Sequence, residues 1–365
     1  MTRVLHVLDK ICVNSGASTV VMNYYNSLNH DDFTFDFMLN EDVDAETREY
    51  IEGRGSKIFL MPDLRAANLF KYIGALRRFY KEYSQDYKIV HGHVANSAVF
   101  YLGLARKTVS YRIIHSHNTM SSDVFWKRIR NWVLTRFIRR VANRFAACSE
   151  KAAVFLFGTT DGVTIFNNAV DIDKFLYNAD VRESLRRDLS LGDKLVVGHV
   201  GRFSAQKNHR FLIDVFSELH KVRSDAMLML IGSGELYDDV VRSVSDKGLT
   251  DAVMFVGSVD NVNDYMNAMD VFVLPSLFEG LPLTGVEAQI NGLPCVFSDE
   301  VTREVGISGA SLFLPIDGTR VWVDELVNAV KRGRVDVADI RMGEFDINVQ
   351  VNKLEGYYGE LLSEC

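Results

Sequence analysis

Two glutamates stand eight positions apart in the segment PSLFEGLPLTGVEAQINGLP, which runs from Pro275 to Pro294. A strand end, a Gly/Pro-rich loop and a helix over this segment would place Glu279 on the loop and Glu287 inside the helix, with both carboxylates facing one cleft. Backbone N–H groups at the helix N-terminus would favour an anion such as a diphosphate. The pattern therefore predicts a site for a nucleotide sugar.

Two cations follow an earlier apolar run, LVVGHV. Arg202 comes directly after Gly201, and Lys207 stands at the start of the next predicted helix. Such cations can neutralise a diphosphate without a metal ion and stabilise the charge that builds on a leaving phosphate. Most Arg and Lys residues are ordinary surface cations, and the two glutamates downstream favour the functional interpretation of this pair.

These segments resemble the E-x-x-x-x-x-x-x-E and G-R-x-x-x-x-K motifs of glycosyltransferase family 4, which groups retaining enzymes of the GT-B fold. The ending EAQINGLP and the segment IIHSHNT resemble members that build capsule or exopolysaccharide. The resemblance implies that Glu287 binds the ribose hydroxyls and that Glu279 contacts the donor sugar near its anomeric carbon. It also implies that Arg202 and Lys207 stabilise the leaving diphosphate.

The same resemblance implies that backbone groups hold much of the donor. The loop that precedes and opens the predicted helix would hold sugar and phosphate, although Pro282 has no N–H to give. A strand that ends near Gly257 would cradle the nucleobase through backbone contacts, and the predicted donor is a UDP-sugar. The predicted donor-binding residues are Gly16, Ala17, Arg202, Lys207, Gly257, Val259, Glu279, Gly280, Leu281, Leu283, Thr284 and Glu287.

The loop from Asn14 to Ser18 follows the first apolar run of the chain. Small residues let a backbone approach a phosphate closely. The loop resembles the family's G-G-A-E sequence, with Ser15 in place of the first glycine and Ser18 in place of the acid. We predict that Gly16 contacts the diphosphate and that Ala17 does so to a lesser extent, and the alternative is a plain strand-to-helix turn.

Two histidine pairs end predicted strands: His91 and His93 after KIV, and His115 and His117 after YRII. Histidine at a strand end is suited to proton or oxyanion chemistry, although a polar residue that caps a sheet edge is the ordinary explanation. Neither pair has a third ligand nearby in sequence, so we predict no metal. The resemblance implies one histidine beside the donor sugar; His117 aligns best and His115 is its rival. The predicted catalytic residues are thus His117, Glu279, Arg202 and Lys207.

The segment GSGELY, which begins at Gly232, follows an apolar run in the way that a dinucleotide-binding fingerprint does. Tyr237 replaces the third glycine of that fingerprint, and a lone G-x-G is a weak signal. We predict no nicotinamide cofactor, and no cofactor other than the nucleotide-sugar co-substrate.

A basic segment, FWKRIRNWVLTRFIRRVANR, covers residues 125–144 of an otherwise acidic chain and contains no acid. Trp126 and other aromatics alternate with its cations, which suits a helix bound to anionic headgroups. Arg136 and Arg140 interrupt the apolar face, so a partly buried helix with long basic side chains reaching to water is an equal alternative. The predicted membrane or acceptor residues are Trp126, Arg136, Arg139 and Arg140.

Apolar runs alternate with helical patterns along most of the 365 residues. This alternation predicts parallel sheets with helices on both faces, in two Rossmann-like domains whose sheets face a central cleft. The junction resembles the family's N-G-V-D-x-x-x-F sequence at residues 164–175, with Ala169 in place of glycine. We predict an acceptor-binding domain at 1–168, a nucleotide-sugar-binding domain at 169–345, and a C-terminal helix at 346–365 that crosses back to the first domain.

Composition sets the outer limits of function. The chain is 47% hydrophobic and 24% charged, which is typical of a folded protein, and its net charge of -7 gives no general attraction to nucleic acid. The four cysteines form no C-x-x-C pair, so a reducing compartment fits best. The start MTRVLHVLDKI has too short an apolar run for a signal peptide, and no window is long enough to span a membrane.

We therefore expect a cytoplasmic retaining glycosyltransferase, peripheral at the inner face of the plasma membrane. It would transfer a hexose or N-acetylhexosamine from a UDP-sugar to a glycan acceptor, lipid-linked, in capsular or exopolysaccharide biosynthesis. One alternative is a UDP-sugar 2-epimerase of the same fold. The other is a non-catalytic subunit that binds a nucleotide sugar and activates a partner transferase, which the substituted Ser15 and Ser18 leave open.

Overall fold

The computed structural model describes residues 1–12, 16–117, 135–337 and 343–364. The chain divides into two compact units, one formed by Met1–Ala169 with Ile347–Cys365 and the other by Val170–Asp346. We refer to them as unit 1 and unit 2.

Unit 1 contains a parallel sheet whose strands are connected by helices. The strands are β1 (Thr2–Leu8), β2 (Phe33–Leu39), β3 (Ile58–Leu60), β4 (Ile89–Gly92), β5 (Tyr111–Ser116), β6 (Arg144–Ala147) and β7 (Val163–Ile165), in the order β3-β2-β1-β4-β5-β6-β7. The helices are α1 (Gly16–Ser27), α2 (Ala45–Gly53), α3 (Leu69–Tyr83), α4 (Ala98–Ala105), α5 (Ile138–Val141) and α6 (Glu150–Phe157).

Unit 2 contains a second parallel sheet of the same kind. Its strands are β8 (Leu195–Val200), β9 (Ala226–Ile231), β10 (Val253–Gly257), β11 (Val271–Leu274), β12 (Cys295–Ser298) and β13 (Ser311–Leu314), in the order β10-β9-β8-β11-β12-β13. Its helices are α7 (Ile172–Phe175), α8 (Ala179–Asp188), α9 (His209–Val222), α10 (Tyr237–Asp246), α11 (Val262–Ala268), α12 (Leu283–Ile290) and α13 (Thr319–Arg332).

Central strands of both sheets are apolar on both faces, because helices cover the two sides. Every residue of β8 and of β9 is buried, as are those of β4 and β11. Such continuous apolar runs are what a parallel sheet requires. Both sheets are doubly wound, with the strand order reversing beside β1 and beside β8, which confirms the prediction of two doubly wound parallel sheets.

The last helix, α14 (Ile347–Ser363), belongs to unit 1. The backbone N–H of Asn29, after α1, donates to Glu355 Oε1 at 2.7 Å, and Tyr358 is fully buried. A helix docked in this way places the Tyr358 hydroxyl among side chains of the sheet.

One local prediction differs from the structure. The basic segment at 125–144 does not remain helical to its end: α5 stops at Val141, Ala142 is extended (ψ 150°), and Arg144 opens strand β6. The predicted junction at 164–175 contains the boundary between the two units, which lies between Ala169 and Val170, and it begins inside strand β7 and ends with α7. Among the residues that the structure describes, no helix combines the length and apolar character needed to cross a membrane.

Candidate active site

The segment between β11 and α12 has the architecture that its sequence predicts. Strand β11 ends at Leu274 and α12 begins at Leu283, so Glu279 lies on the connecting loop and Glu287 inside the helix. The loop is tied to the turn after β8: the Leu277 N–H donates to the Gln206 carbonyl at 2.8 Å, and Gln206 Nε2 donates to the Phe278 carbonyl at 2.9 Å. These bonds fix the loop that carries Glu279.

Lys207 and Glu279 form an ion pair in which Lys207 Nζ lies 2.6 Å from Glu279 Oε1, with side chains only 14% and 9% exposed. Gln206 Nε2 donates to the other carboxylate oxygen at 3.1 Å. Lys207 lies in a one-turn 3-10 helix, Ala205–Lys207, and Asn208 in the left-handed region (φ 53°) separates it from α9. Lys207 thus precedes the helix instead of opening it, and it is positioned by Glu279.

The N-terminus of α12 presents backbone donors. Pro282 is its N-cap and gives no side-chain hydrogen bond, so the first N–H groups have no cap from that residue. Gly280 and Leu281 precede this end, and Leu283 and Thr284 form its first turn. The Thr284 hydroxyl oxygen is buried with no hydrogen-bond partner in the described part of the chain. An eight-residue helix that starts this way offers an anion site beside Lys207 and Glu279.

Glu287 is a buried carboxyl on α12, 8% exposed. Desolvation raises its pKa from 4.5 to about 7, and the nearby positive charge of Lys174 opposes that rise. Burial is costly for a carboxylate that forms no salt bridge, as is the case for Glu287 among the described residues, and this makes the position unusual for a structural residue. A carboxylate here can accept hydrogen bonds from a diol.

Arg202 lies on the loop after β8 and pairs with Glu235, which sequence analysis did not select: Arg202 Nη2 lies 2.9 Å from Glu235 Oε2. Both side chains are more than half exposed. Glu235 follows the G-x-G of the β9–α10 loop, and Gly232 (φ 135°) allows that loop to approach, since a Cβ there would lie 2.1 Å from the Gly201 carbonyl oxygen. The sequence feature that could have identified Glu235 is an acidic residue directly after a G-x-G at the end of a strand.

The predicted nucleobase region lies next to this loop. Strand β10 ends at Gly257, whose carbonyl accepts from the Gly232 N–H at 2.8 Å, and Val259 follows two residues later. The loops after β8, β9 and β10 are therefore hydrogen-bonded to one another at the carboxyl end of the sheet, where ligands of doubly wound folds bind.

In unit 1, the structure joins the two histidine pairs and adds His6 of β1 to them. His6 pairs in register with His91 on β4, and period-two alternation directs the histidines of β1, β4 and β5 to one face of the sheet. Sequence analysis treated the pairs as separate and did not select His6. Within the described residues, His6, His91 and His93 form one group, and His93, His115 and His117 another, with candidate ligand atoms within 4.8 Å of one another.

All five histidines have lowered pKa values because burial disfavours the imidazolium form. The pKa of His91 falls to about 3, with a further contribution from His117, and that of His117 falls to about 4. The pKa values of His6, His93 and His115 are also lowered, first by burial and then by neighbouring histidines. The cluster is therefore neutral at physiological pH.

The chain after β1 is described up to residue 12 and again from Gly16, and Asn14 and Ser15 lie outside the described residues. Gly16 opens α1, Ala17 lies in its first turn, and a Cβ built on Gly16 would meet no atom within 4 Å from the described residues beyond its chain neighbours and its own helix. Ser18, which stands where the family has an acid, is buried and donates to the Lys10 carbonyl at 2.5 Å. Its hydroxyl therefore anchors the loop to the preceding segment.

The predicted membrane residues are described in part. Trp126 lies outside the described residues. Arg136, Arg139 and Arg140 are exposed; Arg139 Nη2 donates to the Phe157 carbonyl at 3.0 Å, and the Arg140 guanidinium lies 5.1 Å from the centre of the Phe137 ring. Arg139 is thus partly engaged by its own unit.

Comparison with known proteins identifies the family of this chain. A family model described as glycosyl transferases group 1 matches residues 194–332, and one described as glycosyltransferase family 4 matches residues 14–174. EpsF of Bacillus subtilis is 33% identical over 345 residues, which cover 91% of this chain and 88% of that protein. The chain belongs to glycosyltransferase family 4.

Other relatives of this glycosyltransferase are more distant. A UDP-Gal:alpha-D-GlcNAc-diphosphoundecaprenol alpha-1,3-galactosyltransferase from Escherichia coli is 26% identical over 78% of this chain and 76% of that protein. The solved structure of HepE from Anabaena in complex with UDP-glucose has a TM-score of 0.82 at 16% identity, with both chains covered completely. That similarity supports the GT-B fold.

Proposed function

We propose that this family 4 protein is a retaining glycosyltransferase that uses a UDP-sugar donor and a lipid-linked glycan acceptor in capsular or exopolysaccharide biosynthesis. Support for the acceptor comes from the E. coli relative named for a diphosphoundecaprenol-linked acceptor, and support for the pathway from CapH of Staphylococcus aureus, a capsular polysaccharide glycosyltransferase 23% identical over 98% of this chain. Support for the donor comes from HepE, whose structures hold UDP-glucose or UDP. The transferred sugar would be a hexose or an N-acetylhexosamine.

The observation that carries the proposal is the Lys207–Glu279 ion pair beside the uncapped start of α12. Lys207 and Arg202 would bind the diphosphate and stabilise the charge that develops on it as the glycosidic bond breaks, without a metal ion. Glu279, held by Lys207 and Gln206, would orient the donor sugar near its anomeric carbon. In family 4 the departing phosphate helps to deprotonate the acceptor hydroxyl on the same face, which retains the configuration.

We assign the remaining donor contacts as part of the same proposal. Glu287 would accept hydrogen bonds from the ribose hydroxyls, backbone N–H groups of Gly280, Leu281, Leu283 and Thr284 would bind phosphate and sugar, and Gly257 and Val259 would border the base. From unit 1 we assign His117 to the donor sugar, and Gly16 with Ala17 to the diphosphate. His117 aligns better than His115 with the family's histidine, so His117 is the preferred assignment.

The test is transfer of radiolabelled sugar from UDP-, GDP- and ADP-sugars to membrane lipid extracts, with and without acceptor. We expect label in the lipid fraction from a UDP-sugar only, and no change in the donor when acceptor is omitted apart from slow hydrolysis. Conversion of the donor to its 2-epimer without acceptor would identify the epimerase instead. Tight donor binding with no transfer would support the non-catalytic subunit.

We place the enzyme at the cytoplasmic face of the plasma membrane, with the basic segment as its contact. Replacing Arg136, Arg139 and Arg140 together by glutamine is expected to reduce co-sedimentation with anionic vesicles at least tenfold, because each basic residue near such a surface contributes about 1 kcal/mol. The control is an equal loss of exposed charge on α3, made at Lys71, Arg77 and Arg78. Equal release by both triple variants, or by neither, would contradict a membrane role for this segment.

A further inference from the structure

The histidine cluster contains one unbroken series of hydrogen-bonded rings with Tyr358 at its centre. The contacts are His117 Nε2 to His93 Nδ1 (2.8 Å), His93 Nε2 to His6 Nδ1 (3.0 Å), His6 Nε2 to Tyr358 Oη (3.4 Å), Tyr358 Oη to His91 Nδ1 (2.6 Å), and His91 Nε2 to His115 Nδ1 (3.2 Å). We refer to these six residues as the imidazole series.

Both ends of the imidazole series stop at a nitrogen without a partner. His117 Nδ1 and His115 Nε2 are buried and lack hydrogen-bond partners in the described part of the chain. His115 also lines a small cavity of about 10 Å³ together with His6, His91 and His93, which is room for one water molecule. A buried nitrogen without a hydrogen-bond partner destabilises the folded protein, so each end of the series is suited to a hydrogen bond with a ligand group or a water molecule.

A count of protons shows that the rings cannot choose their tautomers independently. Five neutral imidazoles and one phenol carry six protons, and the five contacts use one each. The buried Tyr358 hydroxyl has no third partner among the described residues, so we take it to donate in one of its two contacts and to accept in the other, which avoids an unused buried O–H. The sixth proton then lies at one end of the series, and the other end has a bare lone pair. Two arrangements of this kind satisfy every contact: all five histidines protonated on Nε2, or all five protonated on Nδ1.

An additional proton does not relieve this constraint. Burial and neighbouring imidazoles lower the pKa values of all five rings, so the series stays neutral near pH 7. A ligand at one end can therefore act on the series only by selecting one of the two arrangements. A hydroxyl that donates to His117 Nδ1 selects the Nε2-protonated arrangement throughout.

We propose that Tyr358 is a positioning residue that couples the tautomers of the five histidines, and thereby fixes whether His117 accepts or donates a hydrogen bond to a ligand hydroxyl. The ligand part rests on the proposed contact of His117 with the donor sugar, whereas the coupling does not. Tyr358 lies on α14, at the far end of the chain from His6. A phenylalanine at this position lacks the hydroxyl and would divide the series into one part with three histidines and one with two.

The geometry favours hydrogen bonds over a shared metal ion. Two imidazole nitrogens on one tetrahedral zinc are about 3.3 Å apart at Zn–N distances of about 2.0–2.1 Å. Two of the three contacts between histidine rings, at 2.8 and 3.0 Å, are clearly shorter than this separation. The three contacts also follow one another along the series, whereas the ligands of one metal ion converge on a single point. Zinc binding is nevertheless a measurable alternative and is included in the test.

The experiment is 15N NMR of protein labelled at histidine, with Tyr358→Phe and the matched control Tyr357→Phe on the same helix. In the native protein we expect the five cluster histidines to share one tautomer, and His199 of unit 2 serves as an Nδ1-protonated reference because its Nδ1 donates to the Val273 carbonyl at 2.9 Å. We expect Tyr358→Phe to change the tautomer population of His117 and Tyr357→Phe to leave it. Mixed tautomers in the native protein, or an unchanged His117 in Tyr358→Phe, would overturn the coupling.

Two further readouts separate the parts of the proposal. Titration with zinc alone should leave the ring 15N resonances of the five cluster histidines in place. If stoichiometric zinc shifted these resonances together, the cluster would be a metal site and not a hydrogen-bonded series. Tyr358→Phe should lower kcat/KM for donor about tenfold, the scale of one hydrogen bond. A shifted His117 tautomer with unchanged kcat/KM would overturn the donor contact of His117 while the coupling stands.

Discussion

Replacing Lys207 by alanine is expected to slow sugar transfer by about two to three orders of magnitude, the cost of removing one preorganised group from a developing anion. UDP binding should weaken less, by about 1.5–3 kcal/mol, the value of a charge-assisted hydrogen bond. The difference arises because negative charge on the diphosphate increases as the glycosidic bond breaks, so Lys207 contributes more to the transition state than to the ground state.

Lys207→Ala also leaves Glu279 without its cation at 9% exposure, so the variant must be shown to be folded. The control is Lys247→Ala, because Lys247 forms a more exposed ion pair with Asp214, at 2.9 Å, on the helical side of unit 2. We expect that control to retain both transfer and UDP affinity. Calorimetric UDP affinity that is the same in Lys207→Ala and in the native protein would remove the phosphate role of Lys207.

The sequence predicted the two doubly wound sheets because the physical signal is repeated many times. Each long strand is a continuous apolar run followed by a helical pattern, as in LVVGHV before the Arg202 loop. The weakest elements were missed: β6 is only four residues long and opens with Arg144, and β7 has three residues, none of them fully buried. Such strands are defined by pairing with a neighbour, which local sequence does not show.

The sequence predicted the loops and helices that carry the candidate residues, but it did not predict which of those side chains contact one another. Sequence analysis selected both Glu279 and Lys207, but the two residues are 72 positions apart. Only the folded sheet shows that the Glu279 carboxylate positions the Lys207 ammonium group. His6 was overlooked because a single histidine in an apolar strand has no local pattern. In the strand order β2-β1-β4-β5 it lies beside His91, so the order of strands was the missing information.

Glutamine at position 287 is expected to stabilise the free protein above neutral pH while weakening donor binding. Because desolvation raises the Glu287 pKa from 4.5 to about 7, the folded state holds its proton over a range in which the unfolded state has released it. The stability of the native protein therefore falls as pH rises from about 4.5 to about 7, by about 3 kcal/mol in total. Glu287→Gln lacks this loss, so its advantage should appear across that window and be constant above it.

Donor affinity should have the opposite dependence, because the ribose hydroxyls need the ionised carboxylate as acceptor. With a pKa of about 7, UDP should bind roughly tenfold more weakly at pH 6 than at pH 8, and Glu287→Gln should bind weakly at both. Urea unfolding and calorimetry at these pH values measure the two effects, with Glu218→Gln as the control, since that exposed carboxylate lies on α9 beside Lys221.

If Glu287→Gln gained stability and bound UDP normally, the buried charge would be real but the ribose assignment would be wrong. A variant that lost both stability and affinity would instead make Glu287 a structural residue. Only a stability gain joined to an affinity loss means that this carboxyl is kept, at a cost to folding, for the ligand.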